Sequence, residues 1–330
     1  MVLHNPHGAS RFPLCLTASI TLLLFSFCVK AQETEPVDII SVRTNLVAVP
    51  ATVTDLRGRR ISDLTQQDFS LTDDGRDARI AYFASGTERI ALAFVLDNSG
   101  SLREQLSRQR DAALGLFARF GPNSSVAVIR FGEQARLLVP FTRETERALS
   151  AFSIPVNQSA LGNRTAIFDA ALTAIQAYAG RNENSPERRI AILISDGLDT
   201  ASRANAQQVI AAASRMNVSF YVIQLPLFTP RDGRLVPRPA AKGFRDLAER
   251  TGGRFFVAGT SAAALAPNNP VDLTPVFAAI EEDLRSQYVI GFYPVEASRD
   301  GNPHRPAILV SNRKFKVHQL RSSYSLRPGP

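Results

Sequence analysis

Tryptophan is absent from this 330-residue chain, and cysteine, methionine, histidine and lysine are scarce. Both cysteines, Cys15 and Cys28, lie in the first thirty residues, which excludes a disulfide scaffold, a Cys-ligated zinc and a thiol nucleophile further along. A remainder without cysteine suits an oxidising compartment, where a stray thiol is a liability. Of the four histidines, His4 and His7 precede the first apolar run, so His304 and His318 are left for any imidazole chemistry. Both fall among C-terminal strands and read as surface residues. The chain has no H-E-x-x-H, no G-x-S-x-G and no G-x-x-x-x-G-K, so the usual zinc-protease, hydrolase and phosphate-loop signatures are missing.

What is present belongs to a globular protein. The chain is 45% hydrophobic and 21% charged, and its length suits about two domains. The formal charge of +8 comes almost wholly from arginine, since Lys30, Lys242, Lys314 and Lys316 are the only lysines. The arginines are scattered, with Arg57, Arg59 and Arg60 the densest group, and no basic stripe carries interleaved aromatics. Nucleic acid is therefore not an expected partner.

Residues 1–31 read as an export signal. Arg11 closes a mildly basic start, and Phe12 to Val29 is almost unbroken apolar and small residues. Val29-Lys30-Ala31 offers small side chains at the two positions a signal peptidase reads, so cleavage is expected before Gln32. An uncleaved anchor helix is the alternative, weakened by Pro13 and by interspersed Ser and Thr. Phe27 before Cys28 is too bulky for a lipoprotein signal. The expected destination is the periplasm or the exterior, with membrane contact only through a retained leader.

Three further segments follow, at 32–86, 87–287 and 288–330. The first is strand-like: Val47, Val49, Ala51 and Val53 alternate across Leu46–Thr54, and Asp73-Asp74-Gly75 separates Phe69–Thr72 from Arg79–Phe83 as a hairpin turn. From Ile90 the texture changes. Apolar runs at Ile90–Leu96, Val126–Phe131, Leu137–Phe141, Ile190–Ile194, Val218–Leu225 and Arg254–Ala258 alternate with helical stretches near Gln105–Phe120, Ala166–Ala179, Ala204–Met216, Lys242–Thr251 and Leu273–Ser286. That alternation predicts an open, doubly wound, mostly parallel α/β sheet, with Leu137–Phe141 as an antiparallel edge and the ligand site at the carboxyl ends of the strands. Strands return at Tyr288–Tyr293, Ala307–Val310 and Arg313–Val317, and the last seven or so residues are expected to be loose. Neither flank has the apolar residues for a core of its own, so the two are expected to form one small β-rich domain. Phe228–Pro239, with three prolines and a glycine, reads as a loop.

The first α/β strand ends in Asp97-Asn98-Ser99-Gly100-Ser101. On a tight loop Asp97, Ser99 and Ser101 can point to one spot, and oxygen-only ligands suit a hard divalent cation, Mg2+ before Ca2+. Thr165 stands just before a helix and Asp196 just after the strand Ile190–Ile194, at the same edge. Singly, each reads as well as a helix cap or a turn former. Together, Asp-x-Ser-x-Ser, a Thr at a helix start and an Asp after a later strand resemble the von Willebrand factor type A (VWA) domain, over about Arg89–Ser286. The resemblance implies a metal-ion-dependent adhesion site, or MIDAS. Ser99 and Ser101 then ligate the ion directly, Thr165 directly or through water, and Asp97 and Asp196 hold waters and balance charge. The ion implied is Mg2+, with Mn2+ and Ca2+ as alternatives, and an acidic side chain of a partner protein takes the open position. Val53-Thr54-Asp55-Leu56-Arg57-Gly58, Asp68-Phe69 and the ending Gln287–Pro294, Asp300-Gly301, His304-Arg305 are similar to the acidobacterial VWFA-related proteins. Pro306, beside the strand Ala307–Val310, marks an edge.

Three function classes follow. The first is an exported protein-binding module that works through its metal. The others are a passive scaffold whose ion only staples loops, and a metal-assisted hydrolase. Asp97 and its serines have no neighbouring base to activate a nucleophile, so the expectation is that the protein is not an enzyme.

Overall fold

The computed structural model describes residues 46–326, apart from 87–88, 99–101, 103–108, 154–160, 162–163, 182–186, 265–270, 299, 321–322 and 325. The leader expected over 1–31 lies outside the described residues. So do Ser99 and Ser101.

Two kinds of strand follow one another along the chain. The first four are partly exposed: β1 (Val47–Asp55), β2 (Phe69–Asp73), β3 (Arg76–Ala78) and β4 (Tyr82–Ser85). Asp74 and Gly75, both at positive φ, make the two-residue turn that joins β2 to β3. Then comes β5 (Ile90–Asp97), buried at every position. It is followed by α1 (Arg110–Phe117), β6 (Ser125–Phe131), β7 (Ala135–Thr142), α2 (Thr145–Ser153), α3 (Ile167–Ala177) and β8 (Arg188–Ser195). Next are α4 (Ala206–Met216), β9 (Val218–Gln224), a hairpin of β10 (Phe228–Arg231) and β11 (Arg234–Pro237), α5 (Phe244–Glu249) and β12 (Phe255–Val257). After α6 (Thr274–Arg285) come β13 (Gln287–Phe292), β14 (Pro306–Val310) and β15 (Phe315–Gln319).

The central sheet has six strands in the order β12-β9-β8-β5-β6-β7. Every pairing is parallel except that of β7, the expected antiparallel edge. The alternation of β5 assigns its faces. Ile90, Leu92, Phe94 and Leu96 meet α1, α2 and α6, whereas Ala91, Ala93 and Val95 meet α3 and its neighbours. Small residues on the second face let alanine-rich α3 approach through Ala170, Ala171 and Ala174. Helices cover both faces, so the fold is the expected doubly wound α/β type. No helix among the described residues is long and apolar enough to cross a membrane.

The two flanks share their sheets, as expected. β13 lies between β1 and β4, and β15 closes the other side of β1, giving the order β15-β1-β13-β4. A second sheet, β14-β2-β3, places Pro306 in an edge strand. Their apolar faces form one core in which Val49, Ala51 and Val53 meet Phe69, Leu71, Tyr288, Ile290 and Ile308. One residue, Ser286, separates α6 from β13, and a buried polar network holds this junction. Asp283 on α6 accepts from the Tyr221 hydroxyl (2.5 Å) and Gln287 Nε2 (2.9 Å) and pairs with Arg60. Arg188 donates to the carbonyls of Gly86 (2.8 Å) and Leu284 (2.6 Å). The start of β8, the turn after β4 and the end of α6 are thereby pinned together.

Three expectations need correction. Phe228–Pro239 is not a loop but the β10–β11 hairpin, turned by Asp232-Gly233 at positive φ. Tyr324 is not part of a loose tail: it is 3% exposed, exchanges backbone hydrogen bonds with His304 and donates its hydroxyl to Asp73. His304 is not a surface residue. It is buried, with Nδ1 2.6 Å from Asp74 Oδ2 and Nε2 2.9 Å from Asp300 Oδ1.

The charge state of His304 couples this corner to pH. The Asp74 and Asp300 carboxylates raise the imidazole above its ordinary value of 6.5. Asp74 is lowered in return, by His304 and by the Arg305 amide. Asp300 falls to about 2, chiefly through Asn302 and then His304. The raised imidazole contributes stability that is complete below about pH 6.5 and lost as pH rises through its folded value; the lowered carboxylates contribute above about pH 4 and lose it as pH falls. The melting advantage of wild type over His304→Gln is therefore expected to be largest near pH 5–6 and to shrink by pH 9, measured by thermal denaturation across that range. An advantage that does not change with pH contradicts an ionised cluster.

Candidate metal centre

Parallel strands deliver their carboxyl ends to one edge, and β5 and β8 are neighbours in that sheet. Asp97 ends β5 and is fully buried. Ser195 ends β8, and its hydroxyl donates to Asp97 Oδ2 at 2.7 Å, so the two strand ends are joined by a side-chain bond. Asp196 follows at 5% exposure, with Oδ1 accepting from the Leu198 amide at 2.8 Å. Gly197 is required by the turn: its φ is +88°, and a Cβ there would lie 2.9 Å from that of Ala240. Gln224 Nε2, from the end of β9, donates to the Asp196 carbonyl at 3.2 Å.

Thr165 stands two residues before α3 and is brought to the same edge by its backbone. Its N–H donates to Thr200 Oγ1 (3.0 Å), and its carbonyl accepts from the amides of Thr200 (2.8 Å) and Ala201 (3.0 Å). Its hydroxyl has no hydrogen-bond partner among the described residues. Asp97, Thr165 and Asp196 thus converge on one edge of the sheet. Ser99 and Ser101, in the loop that leaves β5, are outside the described residues.

Sequence reasoning missed the residues that hold these in place. Asp199 Oδ2 accepts from the amides of Ile167 (3.0 Å) and Phe168 (3.2 Å), capping α3 from a different loop and setting a negative charge at the positive end of the helix. In the reverse direction, Asp169 accepts from the amides of Arg203 (3.2 Å) and Ala204 (2.9 Å). Ser202 Oγ donates to Asp199 and accepts from the Phe168 amide. Asn98, buried, accepts from the buried Arg130 of β6 and donates its own N–H to the Phe131 carbonyl at 2.7 Å. The run Asp196-Gly197-Leu198-Asp199-Thr200-Ala201-Ser202 was a visible signal, being rich in oxygen donors, and so was an arginine within the apolar strand β6.

The residues present fit a divalent cation. Burial raises Asp196 above the ordinary carboxylate range, with the Leu198 amide and the more distant Arg238 opposing it. Two buried carboxylates and a hydroxyl without a partner form a hard oxygen donor set, and a cation between the carboxylates would offset the cost of burying them. The clamp has its own consequence. Asp199→Ala removes the cap of α3 and is expected to cost about 1–2 kcal/mol, read as a lower melting midpoint, whereas an unchanged midpoint contradicts the capping role.

Residues 92–198 match the family model of the von Willebrand factor type A domain. No curated protein matches the chain. Among solved structures, an aerotolerance-related membrane protein from Bacteroides fragilis is similar at 17% identity over 59% of this chain and 98% of that one, with a TM-score of 0.45. A von Willebrand factor type A protein from Catenulispora acidiphila is similar at 13% identity over 78% and 74%, with a TM-score of 0.45. Proximal thread matrix protein 1 from the mussel byssus, in a structure with a zinc-occupied MIDAS motif, is similar at 14% identity over 61% and 50%, with a TM-score of 0.46. The family match spans all five candidate residues, Asp97, Ser99, Ser101, Thr165 and Asp196, and on it the chain carries a von Willebrand factor type A domain.

Proposed function

We propose that this protein is an exported, metal-dependent binding module that grips an acidic side chain of a partner protein through Mg2+ at the edge of the central sheet. The observation that carries the reading is the pair of buried carboxylates, Asp97 and Asp196, at neighbouring strand ends within the matched domain. Ser99, Ser101 and Thr165 supply hydroxyls to the ion, and Asp97 and Asp196 balance its charge. When bound, the ion supplies a positive centre that draws a carboxylate to a surface otherwise marked by two acids. In this reading residues 1–31 are a leader directing the chain to the periplasm or the exterior. Residues 87–287 form the binding domain, and 32–86 with 288–330 form its β-rich companion.

Two other readings fare worse on specific observations. A stapling ion is not needed to hold the loops, because Asp199, Thr200 and Asp169 already tie residues 199–204 to the start of α3. A hydrolase needs a base beside its nucleophile, yet His304 is engaged by two carboxylates in the flank sheets and His318 belongs to β15.

The test pairs binding with folding. Mg2+ titration by calorimetry, capture of a partner from the envelope fraction with and without EDTA, and thermal melting are compared for wild type, Asp97→Ala and Ser99→Ala. Asp97→Ala is expected to lose Mg2+-dependent capture while remaining folded at the assay temperature, because the lost Ser195 hydrogen bond is offset by removal of a buried carboxylate. Ser99→Ala, which removes one neutral ligand, is expected to weaken capture less. Capture that persists in EDTA, or that falls only in step with unfolding, contradicts the reading.

A further inference from the structure

The hairpin of β10 and β11 stands outside the alternation of sheet and helix, and its base rests on the metal centre. The Leu225 amide, where the chain leaves β9, donates to the Ser195 carbonyl at 2.9 Å. On the return, the Ala241 amide donates to the Gly197 carbonyl at 2.7 Å. Both feet therefore hold the residues on either side of Asp196. The Arg238 amide closes the base on the Leu227 carbonyl at 2.7 Å. Beyond it β10 and β11 pair only with each other, a two-stranded ribbon beside the edge where Asp97, Thr165 and Asp196 converge.

The charge of this ribbon is one-sided. From Leu225 to Lys242 the chain carries four cations, Arg231, Arg234, Arg238 and Lys242, and one acid, Asp232. All four cations are exposed. Asp232 lies 3.9 Å from Arg231, and the other three cations make no ion pair among the described residues. Arg203, in the loop that follows Asp196, is also exposed and makes none. Three acids of the same edge are already engaged, Asp169 and Asp199 by backbone amides and Glu133 by Arg164. Arg238 is near enough to Asp196 to act on its carboxylate by charge. Once a divalent ion balances Asp97 and Asp196, the charge left uncompensated here is positive. Exposed charges are each screened, but several of one sign beside a binding centre raise the local concentration of a ligand of the opposite sign.

We infer that the hairpin is a specificity element of the metal centre: it selects an acidic segment, in which one carboxylate meets the ion and its neighbours meet Arg234 and Arg238. The inference rests on the metal-dependent reading proposed above and narrows the partner from one acidic residue to a run of Asp and Glu. A polypeptide suits the ribbon better than a nucleic acid does. Its strands pair with no third strand and so offer backbone groups to an extended chain, whereas its one aromatic residue, Phe228, is half-buried and gives no exposed ring on which a base could stack.

The probe is acetyl-Glu-Glu-Gly-Asp-Gly-Glu-Glu-amide, titrated calorimetrically into the full chain beside a counterpart with Gln for each Glu, in Mg2+ and in EDTA. In Mg2+ the Glu peptide is expected to bind about tenfold more tightly than the Gln peptide, an advantage that shrinks as NaCl rises from about 50 to about 500 mM. Arg234→Gln combined with Arg238→Gln is expected to remove most of that advantage, while the Gln peptide binds as before, Mg2+ binds no more weakly and the melting midpoint holds. Arg234→Glu combined with Arg238→Glu is expected to invert the preference. The two readings fail on different axes. A preference that depends on the arginines but ignores EDTA contradicts the metal centre and supports the hairpin's selectivity. Equal affinity for the two peptides in wild type, or a preference that survives in the Gln double variant, overturns the hairpin's role whatever EDTA does. So does a preference lost only in step with Mg2+ affinity, or a Glu peptide that does not bind. Phosphatidylglycerol vesicles that bind through the same arginines more tightly than the Glu peptide overturn the assignment to a protein partner.

Discussion

Two carboxylates kept out of water at the ends of adjacent parallel strands are the constraint around which the rest is arranged. Burying a carboxylate costs several kcal/mol unless charge or hydrogen bonds compensate it, and Asp97 and Asp196 are both buried. The protein meets part of the cost with short-range partners, the Ser195 hydroxyl for Asp97 and the Leu198 amide for Asp196. Burial holds Asp196 above the ordinary carboxylate range despite the Leu198 amide, so this compensation is partial, and the cation proposed there would add to it. The sheet makes this tolerable. β5 is apolar from Ile90 to Leu96 and β8 from Ile190 to Ile194, and their position is set by two helix-covered faces that do not involve the edge.

Rigidity at the edge comes from hydrogen bonds that cross between loops. The start of α3 is capped by Asp199 rather than by a residue of its own chain segment, and the loop that carries Asp199 is held in turn by Asp169. Neither loop can move without releasing the other. Thr165 is therefore placed by its backbone, which leaves its hydroxyl available to the ion proposed above. Arg130 acts similarly below Asn98, fixing the first residue after β5. Preorganised oxygen donors lose little freedom when an ion arrives, which is the physical advantage of building a site at strand ends.

Much of this was legible in the sequence because it is encoded locally. The apolar run Ile90–Leu96 ending in an aspartate, the alanine period of α3 and the Asp-Gly turn after β2 each state their structure within a few residues. What escaped depends on distant or weak signals. α2, TERALSAFS, is only nine residues long, and Ala148, Ala151 and Phe152 make a clear but short buried face that is easily missed in so brief a segment. Prolines hid the β10–β11 hairpin, although its Asp232-Gly233 turn was in view. The burial of His304 depends on Asp74, 230 residues away in sequence, and that of Tyr324 on Asp73, so neither could be read from its neighbours. Asp199 resembled an ordinary turn residue because the helix it caps begins 32 residues earlier.

The flanks turn a single sheet into a two-part molecule. β13 leaves α6 after one residue and enters the small sheet directly, and the Asp283 network locks that junction. The central claim, however, is the ion. Its most direct measurement is anomalous diffraction from crystals grown with Mn2+, recorded above and below the manganese edge. The account predicts one strong peak within coordinating distance of the Ser99, Ser101 and Thr165 hydroxyls, with Asp97 and Asp196 around it. A clean map with no peak at that edge, while the crystals diffract well and hold Mn2+ elsewhere or nowhere, would contradict it.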